Sequence, residues 1–374
     1  MFKVGSPVFN EDFIDRKHEL ELLTFYLTKS GNQSVMIHAP RRFGKTSLIK
    51  ECFRLIEPKN PYLLYFDFKN YSNLENLARD IVDQTYALFG VGNFWEEIKN
   101  GVLNFLKVIK PKVKLKLYRA IELSIEPTEQ MINEVDQVQL LLKALNIVEL
   151  IGSQSNADIK IAFDEFQDIH FLTPEEKIID KLRSVIQMHQ NVAYIFSGSH
   201  ESLMNQIFLD KRSALFNFTR IISLGGLDQE ELFNYIKAKF KSAGIKIDGV
   251  ALNIILERLE CHPYYSMKTM QTLYALVFTN KIKNIDLALL EQSLELTFNE
   301  TKSYLEDVIN YIKQRAHHFE MIQMIAKSQP SKLDPLNTYR VRQSLVNMGL
   351  VTSIGRNKYK ILDPLLKMYL FSIN

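Results

Sequence analysis

Ser34-Val35-Met36-Ile37-His38-Ala39-Pro40-Arg41-Arg42-Phe43-Gly44-Lys45-Thr46-Ser47 is the stretch on which the reading of the whole chain turns. Val35-Met36-Ile37 is a short apolar run of β-rich residues, the pattern of a strand covered on both faces. From Lys45 to about Ile56 the apolar residues Leu48, Ile49, Cys52, Phe53 and Ile56 keep a helical period. A loop between such a strand and the first turn of a helix presents free backbone N–H groups and the positive end of the helix dipole, which favours a phosphate. Gly44 permits close backbone approach, Lys45 reaches β- and γ-phosphates, and the Thr46 hydroxyl is a ligand for Mg²⁺. Ala39 stands where the usual pattern begins with glycine, a departure of one methyl group.

Working outward, the chain has 374 residues, too many for one ordinary compact domain. The composition, 46% hydrophobic and 24% charged, is that of a globular protein, and the net charge of +3 is too small to argue for nucleic acid by itself. Cys52 and Cys261 lie in separate apolar helical contexts without metal-ligand spacing, so they read as reduced core residues. No run is long and apolar enough for a signal peptide or a membrane span, so a cytoplasmic protein with no membrane partner is expected.

The first half alternates short apolar runs with helical patterns, as an α/β fold with a parallel sheet does. Candidate strands are 34–38, 62–68, 159–163, 193–196 and 221–224. An inserted segment, about 93–128, begins as an amphipathic helix and then alternates apolar residues first with lysines and then with acids, which suggests a strand pair. After Gly225-Gly226 the alternation stops. Asp228 and Glu231 make a helix start, and amphipathic helices follow to about Asn299. The last 75 or so residues give helices to about Met348 and then a short basic hairpin.

A second motif, Ile159-Lys160-Ile161-Ala162-Phe163-Asp164-Glu165, ends a strand in two acids about 120 residues beyond the loop. Ligands bind at the carboxyl ends of strands in open α/β sheets, so both carboxylates are expected at the site. Asp164 is the candidate for holding Mg²⁺ and Glu165 for polarising the attacking water. The next strand ends in Ser197-Gly198-Ser199-His200, where Ser197 or Ser199 is a candidate for sensing the γ-phosphate, against a simple strand-end turn. Arg220, before the last strand, is a source of positive charge in cis or across a subunit boundary, against an ordinary surface arginine; Arg41 and Arg42 are its rivals. His317-His318 has no acidic or cysteine partners at ligand spacing.

Taken together, Phe13-Ile14-Asp15-Arg16 with Glu19-Leu20, the 39–47 loop, Phe163-Asp164-Glu165-Phe166-Gln167, Ser197-Gly198-Ser199 and His262-Pro263-Tyr264-Tyr265 resemble the archaeal-type P-loop ATPase family, which lies near the AAA+ and STAND branches. The resemblance spans nearly the whole chain. It implies ATP and Mg²⁺ as cofactors, a three-layer P-loop NTPase core over residues 1–225, a helical lid over 226–299 and a C-terminal winged-helix domain over 300–374. It further implies that Asp15 and Arg16 lie near the adenine. Arg220 matches an arginine that the family carries there, and His262 with Pro263 opens a lid helix facing the nucleotide. Cys261 replaces the glycine usual before that pair.

Residues 338–348 read as a helix carrying Arg340 and Arg342, followed by strand, basic turn with Arg356 and Lys358, and strand. From Asn337 to Lys360 there are five basic residues and no acids, which suits phosphate contact by a winged helix. Protein docking is the competing use of that fold. The sequence is therefore read as a Mg-dependent ATPase switch with duplex DNA as read-out partner. The alternative is a signalling or defence NTPase whose C-terminal domain binds protein, and oligomerisation is open to both.

Overall fold

A computed structural model describes residues 2–29, 31–89 and 136–373. The strand pair expected within 93–128 lies outside the described residues. In the first half the elements are α1 (Lys17–Thr28), β1 (Val35–His38), α2 (Lys45–Ile56), β2 (Leu63–Asp67), α3 (Leu74–Phe89), α4 (Gln137–Ser155) and β3 (Ile159–Asp164). They continue with α5 (Ile169–Leu172), α6 (Ile178–Ile186), β4 (Val192–Ser197), α7 (Glu201–Phe208) and β5 (Arg220–Ser223). The five strands form one parallel sheet in the order β2-β3-β4-β1-β5.

Strict alternation of side chains across the strands builds a core on each face. Met36, Phe66, Ile161, Phe163, Tyr194 and Phe196 point to one face, beneath α3, α4, α6 and α7. Ile37, Ala162, Ala193, Ile195 and Ile222 point to the other, beneath α1 and α2. The small residues Ala162 and Ala193 on that second face leave room for the α2 side chains Leu48 and Cys52, which sit in the same cluster. This is the three-layer arrangement expected, and both cysteines are free and buried.

Register aligns the strand ends that matter. Asp67 pairs with Asp164, Phe163 with Phe196, and Ile37 with Ser197. The carboxyl ends of β2, β3, β4 and β1 therefore share one edge, and the loop leaving β1 crosses it.

Beyond Gly226 come α8 (Gln229–Ser242), β6 (Lys246–Ile247), α9 (Gly249–Arg258), α10 (Pro263–Thr279), β7 (Asn284–Ile285) and α11 (Leu287–Lys313). The chain then forms α12 (His318–Ala326), α13 (Pro335–Asn347), the antiparallel pair β8 (Val351–Gly355) and β9 (Lys358–Ile361), and α14 (Pro364–Ser372). Asp228, Asp248, Asp286, Asp334 and Asp363 each cap the helix that follows by accepting backbone N–H bonds. The Asp334 cap, with Pro335 in the first turn, starts α13 three residues earlier than the sequence reading had it. One apolar cluster runs through this whole part, from Leu232 to Leu370, and takes in Phe2 from the chain's start. The boundary expected between residues 299 and 300 falls inside α11. Among the described residues no helix is long and apolar enough to cross a membrane.

Phe163 is 1% exposed and meets Phe66, Phe68, Phe166, Tyr194 and Phe196 at ring-centroid distances of 5.3–6.2 Å. Phe163→Ala should cost about 3–5 kcal/mol in urea unfolding, because a rigid aromatic cluster cannot collapse into the space.

Candidate functional site

The loop begins where β1 ends. Ala39 is buried in the α2-side core and its φ is not positive, so the position does not require glycine. Gly44, by contrast, stands at φ 90° immediately before α2, a conformation in which L-residues are strained. Arg42 also has a left-handed backbone, φ 70°, at a cost of roughly 1–2 kcal/mol for a residue with a Cβ. The Lys45 ammonium turns back over the loop and donates to the carbonyls of Ala39 (3.0 Å) and Pro40 (2.8 Å). Burial pushes it down to about 8, against the opposing charges of Glu165, Asp164 and Glu201. Ser47 Oγ accepts from the Val8 N–H at 3.3 Å, so it faces the N-terminal segment.

Asp164 joins the loop to three strands. Its Oδ2 accepts from Thr46 Oγ1 (2.7 Å) and from the Tyr65 hydroxyl (2.6 Å). Its Oδ1 accepts from Ser197 Oγ (2.5 Å) and from the Glu165 N–H (3.0 Å). Thr46 and Asp164 are hard oxygen donors held side by side, a set that fits Mg²⁺.

Glu165 stands at φ 53°, turning its side chain off the strand end. Its Oε2 accepts from Ser199 N–H (3.0 Å), Ser199 Oγ (2.6 Å) and Gln167 Nε2 (2.7 Å), while Oε1 pairs with Lys69 Nζ at 2.8 Å. Burial raises the carboxyl, but the bonds from Lys69, Ser199 and Gln167 outweigh it and hold the group at about 2. A side chain on Gly198 would put its Cβ 2.0 Å from Gln167 Oε1 and 2.7 Å from Met204 Sδ. Glycine there is what lets the β4 end close on Glu165.

Lys45, Thr46, Asp164, Glu165, Ser197 and Ser199 thus come together at one sheet edge. Both serines are carboxylate partners, one on Asp164 and the other on Glu165. The sequence gives Tyr65 and Lys69 no role, and names Gln167 in the family motif without one. Tyr65 and Lys69 sit at the carboxyl end of β2, and that location was their only signal.

Other expected residues lie elsewhere. Arg220 opens β5 opposite Val35, about 10 Å of strand away from the edge where the loop emerges. Its Nε donates to Gln33 at 2.9 Å, on the chain entering β1. The cis role considered for Arg220 is therefore corrected: one chain does not bring it to its own loop. Arg16, 6% exposed, donates to the Gly225 and Gly226 carbonyls and to Glu19. Asp15 accepts from the Asp228 N–H at 2.8 Å. Both are committed to the junction between the sheet and the helical part. Gly226 is needed at that junction, since a Cβ there would lie 2.8 Å from the Glu260 carbonyl.

His262 caps α10 through Nδ1, accepting from Tyr264 and Tyr265 N–H, ahead of Pro263 in the first turn. Burial lowers its imidazole to about 3, so it is neutral. Its ring packs edge-on against Phe43 of the loop, 4.6 Å between centroids. Arg41 is exposed, and Arg42 lies over the Tyr264 ring at 4.2 Å. In the C-terminal part Arg340, Arg356 and Lys358 are exposed, whereas Arg342 stacks on Tyr359 at 5.1 Å.

Residues 13–265 match the family described as the ATPase domain predominantly from Archaea. Among solved structures, the chain is similar to the Walker-type ATPase PABY2304 of Pyrococcus abyssi. The two are 16% identical with a TM-score of 0.68, over 99% of each chain. It is also similar to the ORC2 protein of Aeropyrum pernix, solved as ADPNP–ADP complexes. That pair is 12% identical with a TM-score of 0.58, over 97% of this chain and 95% of the other. At such identities the likeness is one of fold. None of the curated proteins matches the chain.

The depressed Glu165 carboxyl gives a pH prediction. Its folded value, about 2, lies below the ordinary 4.5, so its contribution to stability is fully present above the ordinary value and lost as pH falls toward the folded one. The stability difference between wild type and Glu165→Gln, measured by urea unfolding, should narrow between pH about 5 and about 3. A difference that does not change over that range would reject the clamp on Glu165.

Proposed function

The chain belongs to the family of ATPase domains found predominantly in Archaea, and from that membership we propose that it is a Mg-ATP-driven switch with a DNA-binding C-terminal domain. The observation that carries the ATPase half is the Thr46–Asp164 hydrogen bond, which joins two motifs 118 residues apart at one sheet edge. Lys45 exchanges the Ala39 and Pro40 carbonyls for β- and γ-phosphate oxygens. Thr46 and Asp164 are the residues that would hold Mg²⁺, which when bound neutralises charge on those oxygens. Glu165 orients the attacking water and accepts its proton. Paired with Lys69 and Ser199 it is a weak base. A γ-phosphate competes for both donors and returns basicity to the carboxylate. The helices from α8 to α10 act as a lid, with His262 and Phe43 at the contact. Arg220, exposed on an edge strand, serves a neighbouring copy if hydrolysis needs an arginine in trans.

In the C-terminal part, α13 with β8 and β9 is read as a winged helix. Arg340, Arg356 and Lys358 offer exposed positive charge with no acid between residues 337 and 360, which supports phosphate contact. One observation favours the second reading, a STAND-like signalling or defence NTPase whose C-terminal domain docks protein. Leu336 and Tyr339, at the free end of α13, are 57% and 61% exposed.

Lys45→Ala should abolish ATP binding in calorimetry. Glu165→Gln should retain binding and lose hydrolysis by about 10²–10⁴-fold; unchanged turnover would overturn the role given to Glu165. Duplex DNA affinity should fall steeply with salt, and Arg340→Ala with Arg356→Ala should each lower the slope by about one. A flat salt response selects the protein-docking reading instead.

A further inference from the structure

A chain of side chains leads from the phosphate loop to the last helix. The Arg42 guanidinium lies over the Tyr264 ring, and its Nη1 donates to the Tyr265 hydroxyl at 3.5 Å. Tyr265, 1% exposed, donates in turn to Asp363 Oδ2 at 2.6 Å. Asp363 caps α14 through Oδ1, accepting from Leu365 and Leu366 N–H at 2.9 and 3.1 Å. A second tie holds the same helix: Lys367 pairs with Glu260 at 2.5 Å, in the turn just before His262.

Two features make this chain responsive to an anion. The first is the weakness of the Arg42 end. Its hydrogen bond to Tyr265 is long, whereas a guanidinium bound to a phosphate forms short, charge-assisted and often bidentate bonds. Arg42 is three residues from Lys45, so an anion in the loop lies within reach of its side chain. The second is the burial of Asp363. Burial raises its carboxyl; the Tyr265 hydroxyl and the Leu366 and Leu365 N–H groups act against that first, and the charge of Arg42 adds to them. Removing a nearby cation from a buried carboxylate weakens the ionised form that caps the helix best.

We propose that Arg42 couples the phosphate loop to the C-terminal part: an anion in the loop draws the guanidinium off Tyr264 and Tyr265, and the Tyr265–Asp363 cap on α14 loosens. The inference rests on the ATP-binding reading above and adds the route by which occupancy reaches the C-terminal part. Arg42 acts here through Tyr265 and Asp363, as a positioning residue.

Hydrogen exchange of the α14 amides, 364–372, reads the coupling directly. In the Glu165→Gln background, which keeps ATP intact, saturating Mg-ATP should speed exchange of these amides by about tenfold. Adding Arg42→Ala should give fast exchange without nucleotide and no further response to it. Tyr265→Phe tests the same link away from the phosphates. By linkage ATP affinity in calorimetry should then rise, by up to about tenfold, while α14 exchange is fast and indifferent to nucleotide. A nucleotide response that survives in either variant overturns the proposal. So does Glu165→Gln protein that binds ATP without any change in α14, and in that case the ATPase reading stands. Absence of ATP binding in calorimetry removes the ATPase reading, and the coupling falls with it.

Discussion

Four hydrogen bonds on one carboxylate hold the site together. Asp164 accepts from Thr46 on α2, Tyr65 on β2, Ser197 on β4 and the following N–H of its own chain. An ionised carboxylate buried without partners costs several kcal/mol, and each charge-assisted hydrogen bond returns roughly 1.5–3 kcal/mol. The donors that satisfy the group come from three different elements and its own chain, and this strand order brings them together. With β4 between β3 and β1, Ser197 comes beside Asp164 while Thr46, the second residue of α2, reaches it across the edge. Any shift of β3 by one residue would turn Phe163 toward the donors and Asp164 into the aromatic core on the other face. The carboxylate and the aromatic cluster beneath it thus enforce the same register.

Glu165 shows the opposite balance. Its backbone is bent into the left-handed region, and its side chain is clamped by groups from β2, β4 and its own turn. The clamp depends on Gly198 for its closeness. What makes Asp164 a fixed point is that its donors come from the framework. What makes Glu165 adjustable is that two of its partners, Lys69 and Ser199, lie on exposed or strand-end segments that a charged ligand can recruit.

Much of this was legible in the sequence. Strand 34–38, the helix from Lys45 and the acids ending β3 follow from apolar period and residue chemistry, which are local. The helix start at Asp228 was readable for the same reason, since a cap and its helix are neighbours in sequence, whereas that at His262 came from the family resemblance. Tyr65 and Lys69 were not readable, because a lysine or tyrosine carries no local mark of its partner 96 to 99 residues away. Arg220 is a different case. Parallel strands put all their first residues at one edge and all their last residues at the other, so an arginine opening a strand stands opposite a loop that leaves one. Strand direction alone therefore argues against a cis role for Arg220.

The cations around the loop complete the argument. Lys45 is bonded to loop carbonyls, Lys69 to Glu165, and Arg42 to the aromatic pair on α10. Each therefore has a protein partner to give up when a polyphosphate arrives. Binding energy spent on these exchanges does not appear as affinity. It appears as a difference between two arrangements of the protein, which is what a switch requires. The three exchanges lead to different places: the loop itself, the Glu165 carboxylate and the helical part. Under the proposed function, a ligand lacking its terminal phosphate would satisfy fewer of them, and triphosphate would differ from diphosphate by how many of the protein's own contacts it releases.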